Sequence, residues 1–406
     1  MNDKLDRLYK EFGSQICLFP FLAGFYSTNH VGSTINTIRP CSLITKPKSE
    51  PGWKINDSIV ETRNNTTWKS LRKIFIEKSC HDAPSCLVCS QNEKNGATSA
   101  RQLNNKFFTE HLSTDINAEV AAIINNEYNS NSILSLDYFP SNYCNYECIM
   151  CSGDASSKRN TFEIKFLKQN QKIILNSVNK DFYEILNTVE IINFTGGETL
   201  LQPEVFNLID YLIEKDLAKN ITLTMLTNAS NFPEQLIDKF KKFKNIFYTI
   251  SIDGTKDIIE YQRRGSDWIT VEQNAKKIYS TFGALINFVL TSVSVFGIID
   301  FLNWARQNKI DKICISPVFV RTYLSMASIP LAIRNPLIEK IKTAKNQLAV
   351  EETNFIEWYD QVLSVLENIK YSEMLHREFI VRMKTENIVS KKQLHKVIPE
   401  WAPYFE

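Results

Sequence analysis

Nine cysteines stand in this chain of 406 residues, and three of them fall on one short stretch, LDYFPSNYCNYECIMCSG. Cys144, Cys148 and Cys151 form a C-x3-C-x2-C run. Three thiolates on one loop can ligate three irons of a 4Fe–4S cluster and leave the fourth iron open to a substrate. That is the logic of an open, catalytic metal site as against a closed, structural one. The alternative is a structural zinc site using these thiols and a further ligand. Zinc ribbons, however, normally pair two C-x2-C knuckles, and this run is not of that form.

A second group of reactive residues lies further on. NFTGGETLL holds Gly196, Gly197 and Glu198, forty-odd residues past the triad. Glycine lets a backbone approach a ligand closely, and a carboxylate suits an ammonium. MLTNAS follows with Asn228, YTISIDG with Ser251 and Asp253, and EYQRRGSDW with Arg263 and Arg264. Together with the triad, these motifs resemble the radical S-adenosylmethionine (SAM) superfamily. The resemblance implies a 4Fe–4S cluster on Cys144, Cys148 and Cys151, and SAM chelating its open iron. It further implies that Gly196, Gly197 and Glu198 take the SAM amino group. Ser251, Asp253 and Asn228 would then face its methionine or ribose groups, and Arg263 its carboxylate, with Arg264 as the substitute. Many members carry an aromatic residue before the third cysteine, where adenine packs. This chain has Met150, whose soft thioether can make the same contact.

Five of the cysteines precede residue 95. The pieces CLFPF, RPCS, WKSLRKIF and CHDAPSCLVCS, then a Glu and an Arg in QNEKNGATSARQLNN, resemble a twitch or SPASM-type auxiliary-cluster segment. Cys17, Cys41, Cys86 and Cys89 match its pattern, with Cys80 to spare. Four thiolates would fully ligate an auxiliary iron–sulfur cluster; the same four could close on zinc. Such segments usually follow the radical SAM core, and here the segment precedes it. Cys314, in KICIS, reads either as a small buried hydrophobe or as a hydrogen-atom donor to a substrate radical.

These residues need elements to hold them. From about residue 133 short apolar strands alternate with amphipathic helices. Strands are expected at 132–138, 189–195, 221–227, 247–253, 284–293 and 312–317, with helices between most of them, as at 203–214 and 233–243. Such alternation predicts a parallel sheet with helical crossovers. Six units suggest an α/β fold, a partial (β/α)6 TIM-like barrel with ligands at the C-terminal ends of its strands. In YTISIDG, Thr249, Ser251 and Asp253 share one face and Tyr248, Ile250 and Ile252 the other. Asn287 with Thr291, and Cys314 with Ser316, make similar polar faces, expected to line the barrel interior. The organisation expected is a Cys-rich auxiliary domain at 1–95, a helical connector at 96–132 and the radical SAM barrel at 133–334. A helical C-terminal extension follows at 335–406, ending in the docking segment WAPYFE. The first 95 residues read as loop-rich and held by metal.

Composition bounds the rest. Hydrophobic residues make 43% of the chain and charged residues 23%, an ordinary globular balance. The net charge of +2 gives no electrostatic argument for nucleic acid or an anionic membrane. MNDKLDRLYK has no apolar h-region and no long apolar run occurs, so a cytoplasmic protein without membrane span is expected. There, cysteines serve as ligands or reactive thiols before disulfides. Five histidines without an HExxH give no support to zinc hydrolase chemistry. The function expected is radical SAM chemistry on a peptide or protein side chain, with electrons from a reductase or a flavodoxin- or ferredoxin-like donor. The alternatives are a small-molecule dehydrogenase or epimerase, and a non-catalytic zinc-binding interaction protein on the same fold.

Overall fold

In a computed structural model of the chain, residues 3–31, 35–44, 51–94, 98–169, 173–318 and 321–405 are described. They fall into two compact units. The first comprises 1–142, 171–225 and 235–246, the second 143–170, 226–234 and 247–406. Among the described residues there are ten strands: β1 (Ala23–Ser27), β2 (Asn29–Val31), β3 (Thr37–Arg39), β4 (Ser135–Phe139), β5 (Ile173–Leu175), β6 (Ile191–Phe194), β7 (Thr222–Thr227), β8 (Asn245–Ser251), β9 (Ala284–Leu290) and β10 (Ile313–Pro317).

In the first unit β4 pairs in parallel with β1 on one side and β6 on the other, and β6 pairs in parallel with β7. β3 closes the far edge of β1 antiparallel, and β2 pairs with β5 as a separate ribbon. The alternation is that of a parallel sheet covered by helices. Leu136, Ile192, Phe194 and Leu223 are fully buried on one face. Asp137, Asn193 and Thr224, on the other, keep part of their surface open. The crossover helix Pro203–Glu214 starts with proline at its first position, where no N–H is needed, and buries Val205, Leu208, Ile209 and Leu212 along one stripe. All six strands expected from the sequence are found, trimmed or shifted by a few residues. The helix expected at 233–243 is shorter, Leu236–Phe240.

The amino-terminal stretch is less loop-rich than its composition suggests. It supplies β1 and β3 to the sheet, and it forms the Trp68-bearing helix Thr66–Glu77, capped by Asn65. The period-2 signal in AGFYS is hard to read because all five residues are buried. Residues 100–125 form two helices, Ala100–His111 and Ile116–Asn125. The first opens on a reciprocal Ser99/Gln102 capping box.

In the second unit β8, β9 and β10 run parallel. The helix Trp268–Phe282 is capped by Asp267 and stopped by Gly283 at φ +67°. Helices Leu331–Lys345, Thr353–Asn368 and Glu373–Val389 follow. The terminal WAPYFE segment docks as expected: Trp401 is fully buried, with its ring 4.5 Å from that of Phe379. No helix among the described residues is long and apolar enough to cross a membrane.

Candidate active site and its clusters of thiols

The cysteine triad occupies a loop of the second unit, between Tyr143 and the helix Ser157–Leu167. Main-chain bonds from Glu147 N–H to Arg264 O (2.8 Å) and from Ile149 N–H to Gln262 O (3.0 Å) pin it along an edge. Ser156 caps the following helix through Arg159 N–H and donates its hydroxyl to Tyr146 O at 2.7 Å. Cys144 and Cys148 are buried, and Cys151 is partly open. Burial pushes the Cys151 thiol up to about 11, with the charge of Cys144 adding to it. Burial also raises Cys148, against the pull of the Arg263 guanidinium, with Cys151 and Cys144 adding. Cys148 and Cys151 therefore both resist ionisation, and a multivalent cation would relieve that resistance. Among the described residues no three His, Cys, Asp or Glu side chains gather closely enough to hold a single ion.

Several predicted residues surround this loop. Asn228 is buried; its Nδ2 lies 3.9 Å from Cys144 Sγ and donates to Asn145 Oδ1 at 3.1 Å. Asp253, fully buried, binds Arg263 with both oxygens, at 2.7 Å to Nε and 3.1 Å to Nη2, and accepts Val289 N–H at 2.8 Å. Burial opposes the Arg263 charge, but the Asp253 carboxylate outweighs it and holds the group above its ordinary value. Arg263 thus faces a carboxylate of the protein itself. Ser251 is buried at the end of β8, in register with Asn287. Met150 is half-buried within the loop.

Further along the second unit, Ser316 donates to Asn287 Oδ1 at 3.2 Å, and its oxygen lies 3.5 Å from Cys314 Sγ. Asn287, Cys314 and Ser316 thus form one partly open polar row across β9 and β10, as the alternation predicts. Thr291 is not part of it. The strand has ended at Leu290, and Thr291 is fully buried, with its hydroxyl donating to Gln262 Oε1 at 2.6 Å and accepting Ser294 N–H at 3.0 Å.

The turn Gly196–Gly197–Glu198 belongs to the first unit and follows β6. Gly196 sits at φ +126°, and a Cβ there would lie 2.7 Å from Ser141 O. Gly197 N–H donates to that same oxygen at 3.1 Å. Buried Glu198 caps the next turn, accepting Leu200 N–H at 3.2 Å.

Also in the first unit, Cys17, Cys41, Cys86 and Cys89 line one cavity of about 70 Å³, with Phe19, Phe75 and Arg101 among its walls. Burial raises Cys17 well above an ordinary thiol, with Cys41 and Cys86 adding to the effect, and pushes Cys41 up to about 12. Arg101, buried in an ion pair with Glu93 (2.9 Å), donates to Ser14 O and Ile16 O and so ties down the segment before Cys17. Cys80 begins a short turn, Cys80–Asp82, and its side chain lies outside the described residues.

The sequence reading missed Asp137. Its carboxylate accepts Asn193 Nδ2–H at 3.2 Å, and Asn193 Oδ1 accepts the Thr224 hydroxyl at 2.6 Å. Burial pushes Asp137 up to about 6. The alternation in SLDYF carried this signal.

Residues 138–318 match the family model described as the Radical SAM superfamily. No curated protein matches the chain. Among solved structures, native anSMEcpe with bound AdoMet is 21% identical over 57% of this chain and 62% of its own, with a TM-score of 0.41. Streptococcus suis SuiB bound to precursor peptide SuiA is 19% identical over 65% of this chain and 60% of its own, with a TM-score of 0.39. The chain thus spans less than two thirds of the length of either. The matched stretch holds the triad, the Gly196–Glu198 turn, Asn228, Ser251, Asp253, Arg263 and Cys314, and its family implies a 4Fe–4S cluster and SAM. Residues 138–318 of this chain, just under half of its length, match the radical SAM superfamily, and that match supports an enzyme.

Proposed function

We propose that the chain is a radical SAM enzyme that modifies a peptide or protein side chain. Its parallel strands would form a partial (β/α)6 barrel at 133–334, between an auxiliary-cluster domain at 1–95 with its connector at 96–132 and the helical extension at 335–406. The observation that carries this reading is the C-x3-C-x2-C run of Cys144, Cys148 and Cys151 on one loop, with Cys144 and Cys148 buried, inside the stretch that matches the family. Three soft thiolates fit a 4Fe–4S cluster and leave one iron open. The chemistry such a cluster and SAM supply when bound is one-electron cleavage of the sulfonium to methionine and a 5′-deoxyadenosyl radical, which takes hydrogen from an unactivated C–H bond of the substrate.

The protein's own residues have positioning roles. Cys144, Cys148 and Cys151 hold the cluster, and Asn228 Nδ2–H faces the Cys144 sulfur. The carbonyls freed by the Gly196–Gly197 turn, with Glu198, take the SAM ammonium. Met150 packs on adenine, and Ser251 faces the methionine or ribose end. Asp253 holds Arg263 over the cluster loop, where its charge favours the Cys148 thiolate. Cys17, Cys41, Cys86 and Cys89 hold an auxiliary iron–sulfur cluster around the cavity they share. That site is fully ligated by protein, which suits electron transfer or structure. The peptide reading rests on the resemblance of this four-cysteine segment to those of peptide-modifying enzymes. A reductase or a flavodoxin- or ferredoxin-like protein supplies electrons, in a cytoplasm that keeps the thiols reduced.

One observation favours a second reading, a small-molecule dehydrogenase or epimerase. Cys314 is a partly open thiol on a polar row, and a thiol of that kind can donate a hydrogen atom to a substrate radical.

Protein reconstituted anaerobically, given dithionite and SAM, is expected to form 5′-deoxyadenosine, read by mass spectrometry. The Cys144→Ala/Cys148→Ala/Cys151→Ala variant should form none. Zinc without labile sulfide in the wild type, and no product from it, would replace this reading with the metal-binding scaffold.

A further inference from the structure

Six charges surround the cysteine loop, three of them buried and three partly open, and neither the cluster nor SAM accounts for them. Glu147, in the spacer between Cys144 and Cys148, pairs with Arg264. Arg264 Nη2 lies 2.9 Å from Glu386 Oε2, and its Nη1 donates to Glu386 O at 3.1 Å. The other oxygen of Glu386 lies 2.8 Å from Arg159 Nη1. Arg159 Nε reaches Glu163 Oε1 at 3.4 Å, and Glu163 pairs onward with Arg321. Arg321 Nη2 then donates to the carbonyl oxygen of Cys151 at 2.9 Å, and Glu163 Oε2 accepts Gly153 N–H at 3.0 Å. The chain of alternating charge leaves the cysteine loop at Glu147 and returns to it at Cys151. Phe162 seats both Arg159 and Arg264 against its ring, at 4.4 and 4.8 Å.

We propose that the C-terminal helix Glu373–Val389 is a working part of the cluster site, with Glu386 as the positioning residue that closes this ring and holds the cysteine loop in its ligating form. The inference rests on the reading that Cys144, Cys148 and Cys151 bind the cluster. Arg159, Glu163 and Glu386 are nine-tenths or more buried. Ions so placed must be paired, because removal of one partner leaves the other uncompensated in a low-dielectric interior. Three arginines and three glutamates sum to zero, so the intact ring adds no net charge beside the cluster. Apolar packing could join a helix to a loop without ions. An alternating ring sets register as well, since each group has one correct neighbour on each side. Both carboxylate oxygens of Glu386 are used, one on Arg159 and one on Arg264, so Glu386 joins the two arms by ion pairs where Phe162 touches them only through its ring.

The test uses the reconstituted chain of 406 residues. Iron release to a chelator and the EPR-monitored midpoint potential are read against the Cys144→Ala/Cys148→Ala/Cys151→Ala variant, which subtracts any auxiliary site. In Glu386→Gln the ring carries one excess positive charge. Iron should leave the triad site about tenfold faster, and the potential should shift positive because positive charge favours the reduced cluster. Glu386→Asp should recover part of both. Glu386→Gln/Arg159→Met restores neutrality; its potential should return towards the wild type while iron release stays fast, because the arms remain unlinked. This double variant decides the matter if Glu386→Gln does not fold. Wild-type potential and release rate in both variants would overturn the role of Glu386. A wild type holding no cluster that depends on the three cysteines would instead overturn the reading beneath it.

Discussion

At Gly196 the backbone stands at φ +126°, a region that side-chain-bearing residues rarely enter, and the space for a Cβ is taken by Ser141 O at 2.7 Å. Both obstacles are backbone, so neither can swing away. Gly196→Ala should therefore cost roughly 1–3 kcal/mol and also weaken SAM binding by reshaping the turn. Gly13 is the control: it too has positive φ, +84°, but nothing lies within 4 Å of a built Cβ. Urea unfolding and equilibrium dialysis with SAM should show Gly13→Ala mildly destabilised and binding normally, and Gly196→Ala impaired in both. Arg263 shows a different constraint at the same scale. A sequence can place an arginine near a ligand carboxylate, but two of this one's donors face Asp253. Its neighbour Arg264, the substitute by sequence, is tied to Glu147 and Glu386. Those partners lie up to 122 residues away, so local pattern gave no hint of them.

At the scale of elements, the parallel register of β4, β6 and β7 sets Asp137, Asn193 and Thr224 in one row. The row is a directed chain: the Thr224 hydroxyl donates to Asn193, whose amide donates to Asp137. Burial raises Asp137 from its usual range to about 6, against the Asn193 hydrogen bond. The folded state therefore prefers the protonated acid. Asp137 favours folding below its unfolded value near 4, and that contribution is lost as pH rises through about 6. Asp137→Asn should stabilise the protein at pH 7.5 by about 1–2 kcal/mol, allowing for the part-open carboxylate, and have little effect at pH 4.5. Denaturant unfolding of the apoprotein at both pH values checks this; an equal effect at both would exclude the titration.

At the scale of the whole molecule, the question is how many metal centres one chain carries. Four cysteines drawn from positions 17 to 89 line one cavity in the first unit, and three from 144 to 151 share one loop of the second. Two 4Fe–4S clusters would bring about eight irons per chain. Cys86→Ala/Cys89→Ala should lower that to about four, counted by colorimetric iron and sulfide assay, while the triad's EPR signal persists. Loss of both signals together would mean that the first site holds up the fold as well as a cluster.

The sequence by itself determined the triad, the Gly–Gly–Glu turn and the six strands from β4 to β10 that follow the alternating pattern. These are local: spacing along one loop or one strand carries them, and the chemistry of thiols and glycine does the rest. Tertiary structure alone decided that residues near 25 and 38 extend the first unit's sheet of β4, β6 and β7, because strands buried on both faces lose their alternation. It also decided that Cys17 and Cys89 share a cavity and that Glu386 lies between Arg159 and Arg264. Each of these is a meeting of residues far apart in the chain. Burial makes such a meeting energetically decisive, and no window along the sequence is wide enough to contain it.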